Sequence, residues 1–422
     1  MTTIQSVCIF LGGYLVSRLL LRAEGHEVFV AWLVRRSGGR VAHIVLGLML
    51  GAFALSTFVP NALTVLALIP VVAAIRRSVD TEAAGGRFGT LLALGVIYGG
   101  NIGGLASLVG SPANLYLLVN LRIFKVAGRE ALHFVSWLVF GMPMALGFLL
   151  ICWLLLGFVE RGGMKVRVGA TEPATPTRAP NPLLPLARRW ALLWFGFWVA
   201  LLALTLAAHL GRAPLYSGQL AGEPFQVLTS DAAGALFTLL LVAGLFLWPQ
   251  RLGEGRQAPL GLRDLWREVP LRGVAFGVGV LVLLVVLAKS GLVGFLGRVV
   301  GLVVPESVGP FPAALAVVLV TIFATEVLSN TAVATVMFPL SAALAGRVGM
   351  ASLHLMLAVS LASTCAFMTP VATPVNALAF AGIGGVSLGT FAKTGALANL
   401  AGALWITAWI RWLVPHVLGW FA

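Results

Sequence analysis

Two clusters of neutral, oxygen-bearing residues sit inside otherwise apolar stretches, and each cluster has a counterpart in the other half of the chain. Thr325, Leu328, Ser329, Asn330 and Thr331 lie within residues 311–346, and Ala372-Thr373-Pro374-Val375-Asn376 lies within 352–392. Nearer the start, Ser56 and Asn61 lie within 41–76, and Gly110-Ser111-Pro112-Ala113-Asn114 lies within 89–121. Hydroxyl, amide and unpaired carbonyl oxygens make a coordination shell for a hard cation such as Na⁺, and the N-terminal end of an interrupted helix attracts an anion. Neither tip carries Lys or Arg, so a bound anion depends on helix ends, amide and hydroxyl donors, and a co-bound cation. Glu326 is the one acidic residue deep within an apolar run. A carboxyl there marks a proton or ion path, or else serves as an acceptor that caps hairpin-limb amides.

The plainer alternative is that these groups satisfy one another at helix kinks, and a single Ser or Thr would be read that way. Recurrence of both clusters in register favours a site. Enzyme readings lack support: G-x-x-x-x-G-K-[ST], H-E-x-x-H and G-x-S-x-G are all absent from the sequence. The run Gly99-Gly100-Asn101-Ile102-Gly103-Gly104 lies in an apolar span, where small residues permit close helix packing. Cys8, Cys152 and Cys365 all fall in apolar runs, which argues against a disulfide framework. His26 and His43 flank apolar runs as interfacial residues, and Lys289 snorkels from the end of its span. No organic cofactor is implied.

Membrane helices must position these clusters. The composition is 59% hydrophobic and 10% charged, with mean hydropathy +1.00, leaving too little charge to cover a water-facing surface. Backbone in lipid must satisfy its own hydrogen bonds, so the fold class is all-α and polytopic. Full spans are expected near 6–22, 89–121, 132–157, 190–210, 230–249, 272–290, 352–392 and 394–413. Residues 41–76 and 311–346 are too long for one crossing and too short for two, which predicts two re-entrant hairpins with tips at Val59-Pro60-Asn61 and Ser329-Asn330-Thr331. Pro112 and Pro374 predict two discontinuous helices. Asn61 and Asn330 stand 269 positions apart, and Asn114 and Asn376 stand 262 apart. Traced through the spans, the copies run in opposite directions, as in the inverted repeats of secondary transporters.

This divides the chain into a first repeat (1–157), a linker (158–189) and a second repeat (190–422) that opens with scaffold helices at 190–249. The net charge of +14 reflects basic residues in short loops rather than nucleic-acid binding. Arg22, Arg35, Arg36, Arg40, Arg76, Arg77, Arg87, Lys393, the linker and the 251–272 loop share one side, which is then cytoplasmic. The opposite side, with the C-terminus, holds fewer: Arg122, Lys125, Arg129, Arg212, Arg298, Arg347 and Arg411. The N-terminus lacks the pattern of a secretory signal.

On these motifs the chain resembles the divalent anion:sodium symporter family of di- and tricarboxylate and sulfate transporters, within the wider ion-transporter superfamily. Thr325-Glu326-Val327-Leu328-Ser329-Asn330-Thr331-Ala332 resembles the family's Ser-Asn-Thr tip, and Ala372-Thr373-Pro374-Val375-Asn376-Ala377 its Thr-Pro-Pro-Asn-Ala break. The resemblance implies an elevator-type homodimer in the inner membrane, in contact with lipid and a small anionic substrate. It implies one sodium site at Thr325, Leu328, Asn330 and Ala372 and another at Ser56, Asn61 and Gly110. Asn61, Ser111, Ser329, Asn330, Thr331 and Thr373 would face the substrate.

Two departures qualify the family pattern. The first tip reads Pro60-Asn61-Ala62, which removes two hydroxyls and one backbone donor. The family's N-terminal scaffold spans also have no counterpart before the first copy, implying a reduced scaffold or a start assigned too late. Cation-coupled symport of a small carboxylate is the leading expectation. Exchange or cation/H⁺ (or arsenite) antiport on the same scaffold is the second, and a non-transporting membrane scaffold the third.

Overall fold

The computed structural model describes residues 3–57, 61–78, 85–108, 110–132, 134–160, 181–209, 217–220, 223–226, 230–252, 255–265, 282, 309–383 and 385–420. Helices α1 (Thr3–Arg22) and α2 (Gly25–Ser37) precede α3 (Val41–Ser56) and α4 (Asn61–Ser78). Then come α5 (Gly85–Ala106), α6 (Pro112–Ile123) and α7 (Phe134–Glu160), followed by α8 (Leu184–His209) and α9 (Ser230–Phe246). The last third holds α10 (Pro310–Thr325), α11 (Asn330–Ala345), α12 (Ser352–Ser363), α13 (Pro374–Ile383) and α14 (Leu388–Ala408). Helix α14 runs through a π turn at Trp409–Leu413 into α15 (Val414–Gly419).

The architecture is helical and apolar, as expected. The departures are two small antiparallel ribbons, Ser217–Leu220 with Glu223–Gln226 and Gln250–Leu252 with Gly255–Gln257. Three described helical stretches are long and apolar enough to cross a membrane: Arg87–Ala106, Ser136–Phe158 and Leu388–Gly419. The first of these is buried within the protein from Phe88 to Ala106. Helices α3, α10 and α11 have 16 residues each. At 1.5 Å per residue each reaches about 24 Å, short of a ~30 Å hydrocarbon core.

Several boundaries differ from those expected. The broken span placed at 352–392 ends at Ile383, and α14 begins at Leu388. Gly385 adopts φ +66°, a left-handed conformation that stops a helix, and Ser387 caps the next one by accepting from the Thr390 amide. Lys393 therefore lies inside α14 rather than in a loop. Arg35 and Arg36 sit in the last turn of α2, in a helix rather than in a short loop. Both ends of the 158–189 linker are helical, since α7 continues to Glu160 and α8 starts at Leu184. The span at 272–290 and Lys289 lie outside the described residues, apart from Val282.

The chain packs as two compact units. One comprises Met1–Trp32 and Thr171–Glu268, the other Leu33–Ala170 and Val269–Ala422. In the first, Gly12 lies so close to Trp194 that a Cβ would come within 2.6 Å of the indole nitrogen. Arg22 holds the 258–265 segment by donating to Asp264 Oδ2 at 2.8 Å and to the Pro259 carbonyl at 3.0 Å.

In the second unit, α3 and α5 approach to backbone contact. A Cβ on Gly99 would meet the Met49 carbonyl at 2.5 Å, and one on Gly103 the Phe53 carbonyl at 2.5 Å. Helix α7 packs on the end of α5, where the Trp137 indole donates to the Leu105 carbonyl at 3.0 Å. Arg76 donates to the Ile383 carbonyl at 2.8 Å, tying the end of α4 to the last turn of α13.

Candidate functional site

Unwinding a buried helix releases amides and carbonyls that must find partners. The second unit contains two such breaks, at 107–111 between α5 and α6 and at 364–373 between α12 and α13. Their carbonyls are capped in the same way 262 residues apart. Asn114 Nδ2 donates to the Gly104 and Ser107 carbonyls at 3.1 and 2.9 Å. Asn376 Nδ2 donates to the Ala366 and Thr369 carbonyls at 2.8 and 3.0 Å. Each break is also pinned to the turn just before a tip asparagine: Ser107 Oγ donates to the Thr57 carbonyl, and Thr369 Oγ1 to the Glu326 carbonyl.

The two breaks differ in length, and Glu326 answers that difference. The second leaves consecutive amides at 367–369 outside any helix. Phe367 N and Met368 N donate to Glu326 Oε1 at 2.7 and 2.9 Å, and Thr369 N donates to Oε2 at 3.0 Å. Asn399 Nδ2 of α14 donates to Oε1 at 2.7 Å, and Thr369 Oγ1 reaches Oε2 at 3.2 Å. The buried carboxylate thus fills the acceptor role, with charge-assisted bonds that offset its burial. The amides it receives belong to residues 367–369 of the second break rather than to α10 or α11 beside it. Thr57, 269 positions before Glu326, accepts at its carbonyl from Ser107 of a shorter break, whose Gly110 amide turns back onto Ser107.

At the first tip, Ser56 Oγ donates to Asn61 Oδ1 at 2.6 Å, and Asn61 Nδ2 donates to Asn101 Oδ1 at 3.3 Å. Gly104 and Gly110 close the same pocket: a Cβ on Gly104 would come within 2.8 Å of Asn61 Oδ1 and 3.1 Å of the Gly110 carbonyl. Ser56, Asn61 and Gly110 are therefore gathered. Ser111 is buried, its hydroxyl 3.1 Å from that of Thr364 in the opposite break.

At the second tip, Thr325 Oγ1 donates to the Ile322 carbonyl at 2.8 Å and lies 3.4 Å from the Cys365 carbonyl. Leu328 is buried and its amide completes the turn on the Ala324 carbonyl. Ser329 caps α11 by accepting from Ala332 N at 3.2 Å, and Thr331 is exposed beside it. Asn330 begins α11, and its buried Oδ1 has no hydrogen-bond partner among the described residues. Ala372 is buried, and Thr373 Oγ1 accepts from Asn376 N at 3.1 Å.

Sequence reasoning missed Asn101, Thr364, Ser360 and Asn399. Asn101 Nδ2 donates to Asn376 Oδ1 at 3.2 Å, and Ser360 Oγ donates to Asn114 Oδ1 at 3.0 Å, so each half's clamp is held by the other half. Their available signal was a lone amide or hydroxyl in an apolar helix, which must find a partner inside the protein.

Paired polar breaks enclosed by apolar helices fit a multi-pass membrane transporter rather than an enzyme. The chain belongs to the citrate transporter family, whose model matches residues 2–353. It is a transporter of the divalent anion:sodium symporter type. The sodium-dependent dicarboxylate transporter SdcS of Staphylococcus saprophyticus is 28% identical over 421 residues, which cover 98% of this chain and 77% of that protein. The proteins of the same name from Staphylococcus aureus strains MRSA252 and NCTC 8325 match to the same extent.

Proposed function

We propose that the protein carries a small dicarboxylate across the membrane together with Na⁺. The observation that carries this reading is Asn330 Oδ1 at the start of α11, buried and without a hydrogen-bond partner among the described residues. An orphaned carbonyl oxygen among neutral oxygens fits a hard monovalent cation. The free amides at the start of α11 then favour a carboxylate beside that cation. The similarity to sodium-dependent dicarboxylate transporters points the same way.

In this reading α3–α4 and α10–α11 are re-entrant hairpins of two inverted repeats, spanning 1–157 and 190–422. They form a moving elevator domain in a homodimer of the cell membrane. The 158–189 linker is cytoplasmic and the C-terminus outside. Asn61, Ser111, Ser329, Asn330, Thr331 and Thr373 face the substrate. Ser56, Asn61 and Gly110 form the first cation site, and Thr325, Leu328, Asn330 and Ala372 the second. Exchange is the second reading, favoured by the first tip, where both polar atoms of the Asn61 amide are already engaged.

Uptake of labelled succinate, citrate and sulfate into proteoliposomes, under a Na⁺ gradient and then a pH gradient, tests the proposal. Sodium-stimulated uptake of a di- or tricarboxylate is the expected result. Flux only against internal counter-substrate would replace symport by exchange.

A further inference from the structure

A one-way line of side-chain amides crosses the second unit, and its direction is fixed at one end by backbone. Asn376 Nδ2 lies against two carbonyls, Ala366 and Thr369. Only an NH₂ group can sit there, so Asn376 must turn its oxygen to Asn101. Asn101 must then present its own NH₂ to Asn376 and its oxygen to Asn61. Asn61 must in turn give its NH₂ to Asn101, which leaves Oδ1 facing Ser56 and the Gly104–Gly110 pocket. Reversing any member sets donor against donor and acceptor against acceptor.

We infer that Asn101 is a positioning residue that holds the Asn61 carbonyl oxygen, rather than its NH₂, toward the first cation site, and takes that orientation from the second break through Asn376. The inference rests on the sodium-coupled reading above. A cation meeting the Asn61 NH₂ would be repelled, so the oxygen's direction decides whether the first site exists. Ser56 is the one terminal member free to adapt: its hydroxyl can rotate away from Asn61 Oδ1 and offer a lone pair to the cation. Movement of the 364–373 segment that releases Asn376 also releases Asn101. The first site then senses the state of the second break without a shared ligand.

The test measures sodium binding to purified protein, by sodium-dependent thermal stabilisation and by radiolabelled sodium, alongside sodium activation of succinate uptake. Asn101→Leu keeps the volume and removes both bonds. It should raise the half-activating sodium concentration about tenfold, the effect of one net hydrogen bond. It should also lower the Hill coefficient toward one and leave succinate KM at saturating sodium unchanged. Asn101→Asp keeps an acceptor for Asn61 but has no donor for Asn376. It should bind sodium no more weakly than the unaltered protein while losing cooperativity, and it carries the test if the Leu variant fails to fold. Thr407→Val removes a buried hydroxyl bond within α14, to the Ala403 carbonyl, and should leave sodium dependence unchanged. Unaltered Hill coefficient and sodium affinity in Asn101→Leu, or Asn101→Asp as weak in sodium binding as Leu, would overturn this inference alone. No sodium effect on the unaltered protein would overturn the functional reading with it.

Discussion

Glu326 separates two roles for a buried carboxyl, and Glu326→Gln distinguishes them. The glutamine has one oxygen in place of two. With that oxygen at the Oε1 position it keeps Phe367 N, Met368 N and Asn399, but its NH₂ then faces the Thr369 amide donor to donor. The Thr369 hydroxyl still has the Glu326 carbonyl at 3.0 Å. Stranding one buried amide costs about 1–3 kcal/mol, and weakening three charge-assisted bonds to neutral ones costs roughly 1 kcal/mol each. Easier burial of a neutral group offsets part of this, for a net loss of about 2–3 kcal/mol. For a chain of 422 residues that corresponds to a melting temperature lower by about 2–4 °C, read from tryptophan fluorescence in detergent. Sodium-driven uptake by the folded fraction should persist, and its response to an imposed pH gradient should match that of the unaltered protein. A variant that melts within about 1 °C of the unaltered protein but loses a pH-driven response would refute the acceptor argument and make Glu326 an ion carrier.

Two further outcomes follow from the same geometry. Asn330→Ala removes the orphaned Oδ1 without touching the Ser329 cap; it should raise the sodium requirement roughly hundredfold, equivalent to about 3 kcal/mol, and abolish uptake at ordinary sodium. Wild-type uptake by this variant would remove the second cation site from the proposal. Gly103→Val should destabilise by about 3 kcal/mol or more because its Cβ would meet the Phe53 carbonyl at 2.5 Å, whereas Gly100→Ala, with nothing nearer than 3.9 Å, should gain about 0.5–1 kcal/mol of helix stability. Thermal melts of the pair check both signs.

The breaks were legible because proline in an apolar run has few other meanings, and Pro112 and Pro374 each open a helix where expected. Glu326 was legible as the lone charge in such a run. Its task was not, because the amides it receives stand some forty positions later. The start of the second break at Thr364 was equally hidden. Thr364-Cys365-Ala366-Phe367-Met368-Thr369 contains neither proline nor glycine and reads as helix. Glu326, Asn376 and Asn399 stabilise its unwinding, and only folding brings them together. Asn101 was overlooked inside a glycine run whose neighbours serve packing, with Gly99 and Gly103 facing α3 while Gly104 faces the first tip. The contact of Ser111 with Thr364 was hidden for a related reason, since the two stand 253 positions apart. A hydroxyl at a helix start takes the nearest buried partner, here Thr364 from the other half.

Gly395 has a consequence for how force passes through the second unit. A Cβ there would come within 2.1 Å of the Phe367 carbonyl and 2.5 Å of Met368 Cα, so the helix and the unwound strand touch backbone to backbone. Such a joint has no slack. Asn399, one turn further along, grips Glu326, which in turn grips the amides of the same strand. Any thrust along α14 is therefore delivered to residues 367–368 without a compressible side chain between them, and the second break moves with this helix as one rigid part.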